Sequence, residues 1–539
     1  MGIADDDGRE DEPLITEDSD GDNESVSSVQ PLNVAVQQDV RDQEISTGRM
    51  MILTIGAIGL QSIWSVVMSN GTPYFIYIGL SPTVISLVWL AGPIAGTTYQ
   101  PYIGVISDRS RHPWGRRKFF IITGTIGTIF CLLLLRESID LAIWGATILN
   151  YEPRGKEARW GAKAISIIAM SIFNFTIAPL QAALRTFIVE GAPSHQQEQV
   201  SAWVCRFIGV GSISGYLLSY NSLPEILPFL GDTQFKALCM YASLALAITV
   251  TITCVFIKEK PPPPLEDMAS SGHTSVRGPL IQIFVSLKGM SSRVKRTMAV
   301  QFCAWYSWFT FLYYITAFIG ELYANPILKA NPDYNEAERD AVVDRGTRIG
   351  SLAMFIYAAV ALSSNIILPL ILHSPSSGDS EKFGHQLQAF MREPWLASAP
   401  RVTITQAWMV SQLLTGTCMV TMPLFTSYRA EIAVVGLMGI SWAMTQWIPL
   451  AIISADISKQ EMLDRETGVA AGDAKGESNI GTVMGIYNGA VSAPQVLAAL
   501  GCGLIFSLLQ AAGIKDQMRW VLGVSGLPAY FAAYLAMGL

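Results

Sequence analysis

GVISDRSRHPWGRRKFF, residues 104–120, is a basic loop set between two long apolar runs. Its segment SDRSRHPWGRRK holds five Lys/Arg in twelve residues. Gly104 suits a close approach at the end of one helix. Asp108 can offer its carboxylate to a helix N-terminus or to a neighbouring arginine. Pro113 to Gly115 fits a turn, and Arg116, Arg117 and Lys118 open the next helix. A loop that only sets topology would explain the charges. It would not explain Gly-x-x-x-Asp-Arg (Gly104, Asp108, Arg109) followed by Gly-Arg-Arg (Gly115, Arg116, Arg117). That spacing fits a gating loop, one that holds a conformational state through charged contacts between helix ends.

The flanking sequence is dominated by apolar runs. Half of the 539 residues are hydrophobic and 15% are charged, against about 25% in an average soluble protein. Mean hydropathy is +0.36. Runs at 50–68, 84–104, 119–135, 165–184, 237–257 and 297–319 approach the ~20 residues that cross a bilayer core. So do 349–372, 404–423, 432–453, 480–509 and 518–537, while 200–220 is weaker because it holds Arg206. In lipid every backbone amide needs an internal partner, so these segments read as helices. The expected fold is an all-α membrane protein of twelve transmembrane helices.

The map divides into a six-helix half at 49–257, a Pro-rich and basic linker at 258–296, and a second half at 297–539. Four consecutive prolines in KEKPPPP, 258–264, stop the sixth helix and favour an extended linker. Two six-helix halves around a cytoplasmic linker is the plan of the major facilitator superfamily. Residues 1–48 hold 14 Asp/Glu against two Arg, with few aromatics, and read as a disordered acidic cytoplasmic tail. No cleavable signal peptide is expected, because the N-terminus is acidic where a signal is basic and then apolar.

The loop at 104–120 and the linker, with its seven Lys/Arg, fall on one side if the spans alternate. The positive-inside bias makes that side, and both termini, cytoplasmic. The loop at 137–163, with four Lys/Arg diluted by acids, is a partial objection. The seven cysteines lie inside expected spans without metal-ligand spacing and read as small apolar fillers. The longest loops, the tail, the linker, 321–347 and 373–402, leave no room for a catalytic or nucleotide domain, so an enzyme is not expected.

The sequence resembles the fungal branch of the sucrose-transporter group, the glycoside–pentoside–hexuronide:cation symporter type of the major facilitator superfamily. QSIWSVVMSNGTPYFIYIGL (61–80), WLAGPIAGTTYQPYIGVISDRS (89–110) and GRRKFF (115–120) look like its first three helices. PLQAALRTFIVE (179–190) resembles helix four, CAWYSWFTFLYYITAFIGELY (303–323) helix seven and GTVMGIYNGAVSAPQ (481–495) helix eleven. The resemblance implies uptake of sucrose or a related α-glucoside together with a proton. Two departures bear on coupling. The family carries an Asp eleven residues before the helix-four arginine, where this chain has Asn174 before Arg185. In helix seven it has an Asp and an Arg-Glu pair, where this chain has Thr316, Gly320 and Glu321.

An intramembrane charge is expensive and marks function by default. Arg185 is assigned to substrate or proton coupling, with snorkelling as the plain alternative. Glu321 is the candidate proton-coupling carboxyl, with a solvated helix end as its alternative. Arg206 reads as a snorkelling or paired residue, and Glu190 and Asp456 as gating contacts at cytoplasmic helix ends. Sugars are held by hydrogen bonds and by aromatic faces, and buried amides are costly unless they face a cavity or a partner helix. Gln61, Trp64, Asn174, Gln181, Arg185, Trp305, Asn488 and Gln495 are the expected substrate contacts, Gln61 and Trp64 sharing one helical face. Trp447 and Trp442 fit an interfacial belt. Small residues at Gly209, Gly211 and Gly215 and at Gly485 and Gly489 suit close helix packing. Pro179, Pro449 and Pro494 mark bends.

The expected function is proton-coupled symport of an α-glucoside. Export of a small secondary metabolite is the alternative, and a non-transporting nutrient sensor a distant third. The expected partners are the lipid bilayer, a small-molecule glucoside and a proton, with no nucleic acid, cofactor or metal. EDEPLI, from Glu10 to Ile15, has the pattern of a dileucine sorting signal for an adaptor. The expected site is the plasma membrane, with the vacuolar membrane as alternative.

Overall fold

A computed structural model describes residues 45–153, 155–193, 196–259, 290–371, 403–466 and 473–539. The pattern at Glu10 to Ile15, nearly all of the stretch at 1–48 and most of the linker lie outside them. Among the described residues the regular structure is entirely helical.

Among the described residues, nine helices are long and apolar enough to cross a bilayer, span one with a one-residue break at Ile55. They are span one (Thr47–Tyr77), three (Lys118–Arg136), four (Lys156–Glu190), five (Gln197–Tyr220) and six (Gln234–Phe256). Spans seven (Ser292–Ala330), eight (Glu336–Ile371), ten (Tyr428–Glu466) and eleven (Asp473–Ala511) complete that set. Span nine is Ile404–Thr421. Spans two and twelve are interrupted, for a local reason. Span two carries Pro93 and Pro101, which lack an amide hydrogen, and it runs as Pro82–Trp89, Ala91–Ile94, a π turn at Ala95–Tyr99 and Gln100–Arg109. Thr97 and Thr98 hydroxyls donate to the carbonyls of Pro93 and Ile94, which helps satisfy the loosened backbone. Span twelve breaks at Gly526 before Pro528, as Gln517–Ser525 and Leu527–Ala536.

Two expected loops are largely helix. Spans seven and eight run through most of 321–347 and leave a turn at 331–335, where Asn335 and Glu338 cap each other at 2.9 Å. Residues Ser138–Ile148 form a short helix inside 137–163. Hydropathy marks the part of a helix that lies in lipid, not where the helix ends. A span of 39 residues reaches about 58 Å, well beyond a core of about 30 Å.

Within the first half, span three packs on four, and span one on five and six; in the second, seven packs on eight and eleven, eight on ten, and nine on ten and twelve. The halves meet through spans one and seven, two and eleven, and five and eight. Gly211 is needed for contact between spans five and one, since a Cβ there would lie 2.6 Å from the Ile58 carbonyl. Gly489 is different. Nothing lies within 4 Å of its Cβ position, so it faces open space rather than the packing contact expected of it. Exposed apolar side chains such as Ile126, Phe130, Ile248 and Leu504 cover the outside, as an integral multi-pass membrane protein requires. Cys205 is exposed, unlike the buried thiols of Cys131, Cys239, Cys418 and Cys502.

Candidate functional site

At one end of the bundle the halves are joined. Thr72 of span one donates to the Tyr313 carbonyl of span seven, and Trp89 packs on the Tyr313 ring at 4.4 Å. Thr83 and Ser507 hydroxyls lie 3.4 Å apart, and Gly503 sits against Ser86. This is the end where span one finishes and span two begins. At the opposite end, strong contacts tie helices of the first half to one another. Arg116 and Arg117 both pair with Glu190 at the end of span four, at 2.8 and 2.7 Å. Arg117 also donates to Ser107 of span two. Glu259, just past span six, accepts from the Arg117 and Lys118 amides at 2.5 and 3.2 Å. A carboxylate there meets the free amides and positive end of span three.

The stretch 104–120, with Glu259, therefore binds together the ends of spans two, three, four and six. Gly115 has φ +112°, and a Cβ there would strike the Glu259 carboxylate, so both backbone and space demand glycine. Gly104 corrects the expectation of close approach: its Cβ position has nothing within 4 Å. The side chains of Asp108 and Arg109 are outside the described set.

Between the two ends lies the centre. Asn174, Gln181 and Arg185 are spaced seven and four apart and share one face of span four. Asn174 is buried, donates to the Met170 carbonyl at 2.8 Å and sets its Oδ1 2.8 Å from the Cβ position of Gly92 in span two. Its amide thus packs against the irregular part of span two. Gln181 is half-buried, and Arg185, five residues before the end of span four at Glu190, is exposed. Arg185 is within electrostatic reach of Tyr487 on span eleven, in the other half. Tyr487 accepts from Gln301 Nε2 of span seven at 2.8 Å. Sequence reasoning missed Tyr487 and Gln301, since uncharged side chains in an apolar run give no signal.

Asn488 is exposed beside Tyr487, while half-buried Gln495 donates to its own helix at Val491. Trp305 packs edge-on to Trp442 at 5.6 Å, and Trp442 in turn meets Trp308 at 5.0 Å and Tyr357 at 6.2 Å. Trp442 is therefore an interior residue, not a belt residue, because span ten turns that face toward spans seven and eight. Gln61 and Trp64 are both half-buried; Trp64 packs on Phe173, next to Asn174, and Gln61 backs onto Gly211. Arg206 lies over the Trp203 ring at 4.7 Å, a paired cation.

Glu321 sits apart from this centre, half-buried near the far end of span seven and within electrostatic reach of Asp516. The two helix-seven positions without charge have a steric explanation. A Cβ on Gly346 of span eight would lie 2.7 Å from the Gly320 carbonyl, and one on Gly350 would strike the Thr316 carbonyl. Thr316 is 1% exposed. Spans seven and eight touch there backbone to backbone.

A scan against protein-family models finds no match. The general alpha-glucoside permease of Schizosaccharomyces pombe is 30% identical over 544 residues, covering 90% of this chain and 92% of the permease. The chain belongs to that sucrose and α-glucoside transporter family of the major facilitator superfamily. The sucrose transport protein SUT5 of Oryza sativa subsp. indica is 24% identical over 493 residues, with 89% of this chain and 87% of the relative covered. A solved mutant form of the nucleoside transporter NupG superposes with a TM-score of 0.53 at 12% identity, over 91% of this chain and 99% of the other. That likeness speaks for the facilitator fold alone. As a member of this transporter family, the chain is a membrane carrier and not an enzyme. In this chain span seven meets span eight closely at Thr316 and Gly320.

Proposed function

We propose that this carrier moves an α-glucoside such as sucrose or maltose by symport with a proton. The observation that carries the reading is Arg185, exposed on span four and within electrostatic reach of Tyr487 in the other half. A solute held between halves must touch both, because alternating access moves one against the other around the site. The guanidinium offers several donors to sugar hydroxyls. Trp305 and Trp442 add aromatic surface for the C–H side of a sugar ring, and Gln181 an amide on the same face as Arg185. The names of the relatives, an alpha-glucoside permease and a sucrose transport protein, support the substrate class.

Glu321 is the proposed proton carrier, the carboxyl left in span seven once Thr316 and Gly320 are uncharged. By the positive-inside reading, the joined end is external and the Arg116–Arg117–Glu190 end cytoplasmic, which makes this conformation one open to the cytoplasm. Both termini are then cytoplasmic, and the plasma membrane is the proposed site. Uptake of labelled sucrose and maltose by transport-deficient cells, with and without a proton uncoupler, tests the reading. Uncoupler-sensitive uptake of at least one sugar is expected; no uptake of either removes it.

A further inference from the structure

Span ten contains Pro449, which has no amide hydrogen. The carbonyl four residues earlier, that of Thr445, therefore has no partner within its own helix. Such a group is tolerated inside a membrane bundle only if a neighbour satisfies it. Gln301 of span seven does so, with Nε2 donating to the Thr445 carbonyl at 3.2 Å. The same nitrogen donates to the Tyr487 hydroxyl at 2.8 Å. Gln301 is fully buried, and its Nε2 serves both partners while its Oε1 has none among the described residues. Span nine adds a third tie, Gln412 Nε2 to the Thr445 hydroxyl at 3.0 Å.

One amide group thus links the backbone at Pro449 of span ten to Tyr487, which is within electrostatic reach of Arg185 in the other half. We propose that Gln301 is a positioning residue that transmits occupancy of the site beside Arg185 and Tyr487 to the backbone of span ten at Pro449. Displacement of Tyr487 by a bound solute pulls on Gln301 and alters its hold on the Thr445 carbonyl. Span ten also carries Trp442, so a change in its backbone moves the aromatic wall as well. The inference rests on the reading of Arg185 and Tyr487 as the solute site.

The test is a double-variant cycle of Gln301→Leu and Pro449→Ala with two readouts. In thermal unfolding of purified protein, Gln301→Leu lowers the melting temperature. Adding Pro449→Ala recovers most of that loss, because an alanine amide fills the Thr445 carbonyl from within the helix. In transport, Gln301→Leu slows turnover about tenfold, the size of one buried hydrogen bond, with KM changed by less than about twofold. Pro449→Ala slows turnover similarly, and the double variant is no slower than either single one. Losses in turnover that multiply, or a melting loss that Pro449→Ala does not recover, overturn the proposal. If the wild type takes up no glucoside, the substrate reading fails by itself and the unfolding cycle alone decides the inference.

Discussion

Span four keeps a polar face along its length, whereas span seven gives the matching stretch to close packing. In span four, Asn174, Gln181 and Arg185 lie in line, and the last of them is exposed. In span seven, Thr316 and Gly320 are pressed against Gly346 and Gly350 of span eight. Of these two stretches, the one with the exposed position carries the charge, Arg185. Charge is absent where two helices of one half meet backbone to backbone, since a desolvated charge without a partner costs several kcal/mol.

The largest effect should come from forcing a carboxylate into the packed helix. Thr316→Asp is expected to cost about 3–5 kcal/mol, as an unpaired charge buried against the Gly350 backbone. Thermal unfolding checks it, and an unchanged melting temperature would show that spans seven and eight can separate. Asn174→Asp should be milder, about 1–3 kcal/mol, because it loses the bond to the Met170 carbonyl but borders only Gly92. A cost equal to that of Thr316→Asp would erase the contrast between the helices.

The clamp at the ends of spans two, three and four gives the next pair. Gly115→Ala is expected to cost about 1–2 kcal/mol from its positive φ and its neighbour Glu259. Arg116→Ala should slow turnover about three- to tenfold and leave KM nearly unchanged, because Arg116 pairs with Glu190 at the end of span four and not with the solute. A selective loss of affinity in initial-rate measurements would contradict that role. Gly104→Ala should be the smallest change, within about 0.5 kcal/mol, since its Cβ enters open space.

The twelve spans were legible in the sequence because each has to cover its backbone with apolar side chains. Charged contacts of Arg116, Arg117 and Glu190 at helix ends were legible too. Their partner Glu259 was not, because that contact joins residues 142 apart and a charge at a helix end looks like any other. Gly104 was misread because spacing says nothing of which way a Cβ points. Tyr487 and Gln301, 186 residues apart, form one network that composition cannot reveal. The absence of carboxylates at positions 174 and 316 was plain in the sequence; the Gly92, Gly346 and Gly350 that fill their surroundings required the fold.

Purified protein in liposomes, loaded with unlabelled sugar or buffer and given an imposed pH gradient, tests the central claim of proton-coupled α-glucoside transport. The wild type should accumulate labelled sucrose or maltose only while the outside is acid. Glu321→Gln should lose accumulation yet still exchange labelled for unlabelled sugar. Accumulation that persists after the gradient is collapsed, or in Glu321→Gln, would contradict the account.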